Sequence, residues 1–441
     1  MASAFVVAGF GYGHVVAIVG DEPPDDRVHL AAWGLVVLAA AVYAARARSV
    51  ARLTGALNGL AAILVVMVLA TILPFEASRA APRDPAPAAA VEPATVPDHP
   101  RDIYFLVFDR YGSADSIERR FGLTDNDMYE WLASRGFQVP ADSRAAYRAT
   151  DFSLASTLNL RYLDELTVQF GRESSDRTPA RRLIEGHEVG RFLASRGYTT
   201  YHLGSWFGPT ASGPNADVNL APGVTSEFEQ VLRDTTVLPA IDRVLGNEPP
   251  ESTFRDRHRE SGLFQLRQLH RIATAPGPKF VFAHVLLPHD PYVLDSDGNP
   301  IGEAEADAGD ERDLYADHVA FVNREIRSLV DELLSGPEAS RPIVIIQADE
   351  GPLLCRSVDC PEVTPEYVAI RFGILNAMYL PGAVEPLPST FTAVNTFRTV
   401  FREYFGADLE NLPDHSYTWP DNDHIYDFFD VTAMLDRRVV P

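Results

Sequence analysis

Thiols are scarce in this sequence. Only two cysteines, Cys355 and Cys360, occur among 441 residues. A lone pair in LLCRSVDCPE is too poor a ligand set for a structural zinc site. The favoured reading is a short loop disulfide, which requires an oxidising compartment; two free buried thiols are the plainer alternative. Lysine is nearly absent as well: Lys279 stands alone among 38 basic residues. That arginine bias, with abundant alanine, looks like the product of a GC-rich bacterial genome. A positive field is missing too. The net charge is −23, which excludes a nucleic-acid partner, since no basic surface exists to meet phosphates. The N-terminus lacks a basic n-region, so a cleaved signal peptide fits poorly. Internal repeats are absent.

Long apolar runs, by contrast, fill the first eighty residues. Segments 30–45 and 54–74 contain no charge and are nearly long enough to span a bilayer. Segment 3–19 is shorter, rich in glycine, and carries His14. With no ionisable residue in the two main runs, a transporter is a poor reading. Orientation follows from charge. Arg46, Arg48 and Arg52 lie between the second and third segments, and positive residues favour the cytoplasmic side. The expected organisation is a membrane anchor over 1–79, a Pro/Ala-rich linker over 80–100, and an extracytoplasmic domain over 101–441. The bilayer of the cytoplasmic membrane is then the first partner.

The third region alternates strand and helix patterns. Apolar runs predict strands over 102–109, 198–204, 279–287, 342–349 and 373–380. Amphipathic patterns predict helices over 113–121, 125–135, 151–164, 188–196, 259–274, 312–335 and 394–405. The expected fold is an αβα sandwich with a mainly parallel sheet. Ligands of such sheets bind outside the carboxyl ends of the strands. Two strands end in acids there: VFD at Asp109, and IIQAD at Asp349 followed by Glu350.

Three further pieces carry chemistry. Thr150 opens the helical stretch TDFSLASTLN, where it either caps the helix or serves as a hydroxyl in positive potential. His289 sits in LLPHDPY between Pro288 and Pro291, placed to donate a proton or to do nothing. The adjacent acids in QADEGP repel unless a cation lies between them. His284, inside a strand, reads as buried structure. Tyr201, His202 and Trp206 line a pocket or pack in the core. Arg371 meets an anion or is solvated. Asp414, His415 and Tyr417 read as structural or surface positions.

In this order, DIYFLVFDRYG, TDFSLASTLN, LLPHDPY and IIQADEGP resemble the alkaline phosphatase/sulfatase superfamily. Within it they are closest to bacterial membrane-anchored sulfatase-like proteins, related in layout to lipoteichoic acid synthases and phosphoethanolamine transferases. The resemblance implies metal ligation by Asp109, Thr150 and Asp349, with Thr150 also the nucleophile. It implies that His289 contacts the transferred group or the leaving oxygen. It implies a phosphate- or sulfate-ester substrate, possibly lipid- or glycan-linked. His202, Trp206 and Arg371 are candidates for binding it.

Two departures stand out. Glu350 replaces the His of the family's Asp-His-Gly motif, and Arg110 follows Asp109 where two-metal enzymes pair acids. No Cys-x-Pro-x-Arg motif occurs, which speaks against formylglycine chemistry. Glu350 leaves two readings open. Either it ligates, giving an all-oxygen set that favours one manganese, magnesium or calcium ion over zinc. Or the site is degenerate, and the chain is an extracytoplasmic binding or assembly module.

Overall fold

The computed structural model describes residues 26–46, 99–223, 235–245, 254–354 and 363–436, with Tyr12, Gly55, Asn58, Val66, Leu69, Ala70 and Pro97. The chain divides into two compact units. One comprises residues 1–83 with 225–253, the other residues 84–224 with 254–441. The described part of the first unit includes the helices Asp26–Arg46 and Leu238–Leu245. The candidate span 30–45 falls inside Asp26–Arg46. Segments 3–19 and 54–74 and the linker lie almost wholly outside the described residues. Among the described residues, no helix is long and apolar enough to cross a membrane.

The second unit is built on a six-stranded sheet. Its strands are β1 (Ile103–Phe108), β2 (Thr199–Leu203), β3 (Val218–Leu220), β4 (Lys279–Val285), β5 (Ile343–Gln347) and β6 (Asn376–Tyr379). Their spatial order is β3-β2-β4-β1-β5-β6. Every neighbouring pair is parallel except β5 with β6. At three residues, β3 was too short to read as an apolar run. The expected mixed α/β architecture with a mainly parallel sheet is therefore present.

The central strand shows why two helical layers form. All six residues of β1 are buried, as a strand covered on both faces requires. Tyr104, Leu106 and Phe108 enter one core cluster, while Ile103, Phe105 and Val107 enter the other. This is the period-2 alternation of a strand. The first face is covered by α1 (Ala114–Phe121), α5 (Phe254–Ala273), α6 (Glu311–Leu333) and α7 (Pro365–Phe372). The second is covered by α2 (Thr150–Leu158), α3 (Thr178–Glu185), α4 (Glu188–Ala194) and α8 (Thr396–Phe405). At the amino ends of the strands, the sole lysine is buried. Lys279 Nζ donates to Asp102 at 2.6 Å and to the Ala275 carbonyl at 2.7 Å.

The opposite, carboxyl end of the sheet is held by close backbone approaches. After β5 the chain turns at Gly351, whose N–H donates to the Arg371 carbonyl at 2.8 Å. A Cβ on Gly351 would lie 2.1 Å from the Ile370 oxygen and 2.8 Å from that of Gly373. Backbone oxygens cannot swing aside as a side-chain tip can. Gly351→Ala is therefore expected to destabilise this unit by about 1–3 kcal/mol, measured by denaturant unfolding. A variant as stable as the parent would contradict so tight a turn.

Candidate metal centre

Strand register brings the candidate residues together. β4, β1 and β5 lie side by side, with His284 opposite Val107 and Gln347 opposite Val107. Counting in twos, Val107 and Asp109 share one face, as do Gln347 and Asp349. His284 falls on that same face, beyond Phe280 and Phe282. It is also the face covered by α2, which carries Thr150. Asp109, His284 and Asp349 thus meet at the strand ends. One ligand atom from each lies within 4.8 Å of the others, and all three residues are buried. His284 Nε2 is 3.5 Å from Asp109 Oδ2.

This trio is short of partners. Asp109 Oδ1, both Asp349 carboxylate oxygens and His284 Nε2 are buried with no hydrogen-bond partner. Buried polar atoms are nearly always paired, and orphaned carboxylates are costly. Two carboxylates and one imidazole pointing at one small space fit a divalent cation. The other ring nitrogen of His284 supports this orientation, since Nδ1 lies 3.0 Å from the Thr210 hydroxyl. Metal-binding histidines are oriented by such outer contacts. The sequence signal for His284 was its place in the alternation: a polar side chain on the face of the two strand-end acids.

Thr150 is the first residue of α2 and lines the cavity above the trio. Its side chain lies beside the Asp349 carboxyl. The helix start is fixed to β5 because Ser153 Oγ donates to the Asp349 carbonyl at 2.6 Å. Residues Asp151 to Leu158 are all buried, so this helix has little freedom to move.

Glu350 sits elsewhere than in the trio. Its carboxylate pairs with the guanidinium of Arg371 and with Arg110 Nε at 3.3 Å. Arg371 also donates to the Arg148 carbonyl at 2.9 Å and to the Gly351 carbonyl at 2.7 Å. It therefore ties the segment before Thr150 to the acidic turn after β5. Arg110 reaches Asp290 too. To do this it adopts φ 61°, the left-handed region that non-glycine residues rarely occupy. The strain sits one residue after Asp109.

The remaining candidates divide. His289, Trp206 and Arg371 line a cavity of about 350 Å³ together with Asp109, Thr150 and Glu350. Trp206 Nε1 donates to His258 Nδ1 at 3.0 Å. His258 Nε2 must then carry the proton, and it donates to the His289 carbonyl at 3.0 Å. This chain positions the loop between the two prolines. His202 is not in that cavity. It is 5% exposed, bonds the Thr210 carbonyl, and lines a separate small cavity beside His187; it shares the trio's face of the sheet but sits level with Phe282, two residues short of His284. Cys355 and Cys360 lie outside the described residues.

Charge in the trio is strongly coupled. Burial, with Asp109 and Glu350 nearby, pushes the Asp349 carboxyl up to about 8. Burial would raise Asp109 as well, but His289, His284 and Arg110 hold it below the usual carboxylate range. Burial would lower His284, yet the Asp109 carboxylate holds it above its ordinary value. Burial and Arg110 push His289 down, so it is neutral at physiological pH. Without a cation, Asp349 therefore holds a proton below about pH 8 that a cation must displace, and the upward shift of His284 acts in the same direction.

The sign follows directly. Cation affinity is expected to rise from pH 6 to pH 8, with protons released on binding. Calorimetry of manganese into chelator-treated protein, in buffers of different ionisation enthalpy, reads both. Affinity that is flat with pH would contradict the trio as the binding set.

No protein-family model matches the chain, and no curated protein matches it. Among solved structures it is similar to the C-terminal periplasmic domain of EcEptC from Escherichia coli. That likeness has 11% identity and a TM-score of 0.49, covering 78% of this chain and 97% of the other. It is also similar to BT1596, a 2-O GAG sulfatase, at 13% identity and a TM-score of 0.47, covering 74% and 79%. A third is the soluble domain of lipooligosaccharide phosphoethanolamine transferase A from Neisseria meningitidis, at 14% and 0.40, covering 69% and 88%. Likenesses this distant carry no argument about activity. The solved structures similar to this chain include a 2-O GAG sulfatase and a lipooligosaccharide phosphoethanolamine transferase.

Proposed function

We propose that the second unit is a metal-dependent enzyme that cleaves or transfers phosphate or sulfate esters through Thr150. The observation that carries this reading is the cluster of unpartnered ligand atoms on Asp109, His284 and Asp349 beneath a threonine at a helix start. The three side chains would hold one divalent cation. A mixed nitrogen and oxygen set suits manganese or zinc better than calcium. When bound, the cation supplies Lewis-acid stabilisation of developing negative charge and favours ionisation of a nearby hydroxyl.

The chain's own residues do the rest. Thr150 Oγ1, having lost its proton to water, attacks the phosphorus or sulfur of the ester. The bond to the leaving oxygen breaks, that oxygen takes a proton from water, and His289 lines the cavity into which it departs. Water or an acceptor alcohol then attacks the phospho- or sulfo-threonine and releases Thr150. Trp206 and Phe207 give the cavity an apolar wall for the organic part of the substrate. Arg371 positions Thr150 against the acidic turn through the Arg148 and Gly351 carbonyls.

The non-catalytic alternative was motivated by Glu350. Glu350 is committed to Arg110 and Arg371, and a nitrogen donor is available at His284, so the motive weakens. We further propose that the apolar N-terminal segments anchor this unit on the outer side of the cytoplasmic membrane, with 80–100 as linker. An extracytoplasmic site near lipid suits a lipid- or glycan-linked ester.

Thr150→Ala is expected to lower turnover of 4-nitrophenyl phosphate or sulfate by about a thousandfold or more. Cation affinity should change little, because the trio does not include the hydroxyl. Acid-quenched mass spectrometry of the parent during turnover should find an adduct on the peptide containing Thr150. An adduct on another residue, or full activity in the variant, would refute Thr150 as nucleophile.

A further inference from the structure

Four arginines line the cavity: Arg110, Arg177, Arg181 and Arg371. Two of them, Arg110 and Arg371, are paired with Glu350, and Arg110 also with Asp290. The other two share a single carboxylate. Arg177 Nη1 lies 3.3 Å and Arg181 Nε 3.4 Å from Asp151 Oδ2. Asp151 is the residue after Thr150, and its side chain is only 4% exposed. Two guanidiniums on one carboxylate leave an excess positive charge beside the reacting threonine. The chain as a whole carries a net charge of −23, which on balance repels anions.

The arrangement is preorganised. The Arg177 guanidinium lies 5.8 Å from the ring centres of Phe152 and Trp419, and Nη2 donates to Asn422 Oδ1 at 3.3 Å. Arg181 uses only Nε on Asp151, so its two terminal nitrogens have no acceptor among the described residues. The side chains of Arg177 and Arg181 are 28% and 44% exposed, so a ligand entering the cavity can reach them. A guanidinium with paired free N–H groups matches two oxygens of a tetrahedral oxyanion.

We propose that Arg177 and Arg181, held on Asp151, form an oxyanion subsite for a second phosphate or sulfate group of the substrate. The preferred ester would then carry another such group besides the one presented to Thr150. The placement beside a reacting ester rests on the proposed function; the binding itself does not.

Inorganic phosphate is the probe. It is titrated calorimetrically into the full chain after chelator treatment, which removes any cation-dependent site. One phosphate is expected to bind. The double variant Arg177→Gln/Arg181→Gln should bind it about ten- to a hundredfold more weakly, with a lowered melting temperature because buried Asp151 loses its counter-charges. Arg181→Lys, which keeps charge but loses the fork, should fall between. Thr150→Ala should bind as the parent does. Absence of binding in the parent, equal binding in the double variant, or loss of binding in Thr150→Ala would each overturn the subsite. If phosphate binding follows the arginines but no ester is ever turned over, the subsite stands and the ester-transfer reading falls.

Discussion

Burying two carboxylates at the ends of neighbouring strands costs several kcal/mol for each unless opposite charge meets them. Asp109 and Asp349 are in that position, and the one imidazole beside them is not enough. The pressure shows in the protonation states: one carboxyl is driven up, the other down, and the histidine is drawn upward to compensate. A divalent cation held there would replace those protons with a fixed charge. The sheet supplies the rigidity, because three adjacent parallel strands deliver all three side chains on one face. Sites built on strands hold geometry better than sites built on loops.

Around this centre, arginines keep the other carboxylates away. Glu350 follows Asp349 directly and would add a third negative charge to the trio. Arg371 and Arg110 draw it aside, and Arg371 uses its remaining donors to clamp the backbone on either side. The same logic recurs at Asp151, held by Arg177 and Arg181 one residue past the threonine. Thr150 is thus bracketed by two arginine–carboxylate groups, one buried and closed, the other half-open to the cavity. The left-handed backbone at Arg110 is the local strain this arrangement carries.

Much of the architecture was legible because it rests on period. The buried run 103–108 announced a central strand, and the later strands and the long helix 311–333 fell close to the expected ranges. The edge strand Val218–Leu220 and the helix Thr178–Glu185 were not read. The former is short and half polar, and the latter is broken by charges that pair only in three dimensions. Among candidate site residues, Asp109, Thr150, His289 and Asp349 were visible as strand ends, a helix start and a proline-framed loop. His284 was hidden because its meaning depends on which strands are neighbours. Glu350 seemed to belong with Asp349 because adjacency in sequence says nothing about the direction of side chains after a turn.

The most direct test compares cation binding in two variants. The parent, His284→Ala and Glu350→Gln are each loaded with manganese and with zinc, and bound metal is counted by elemental analysis. The account predicts about one equivalent in the parent, retained in Glu350→Gln and lost in His284→Ala. Retention in His284→Ala with loss in Glu350→Gln would contradict it, and would return Glu350 to the ligand set.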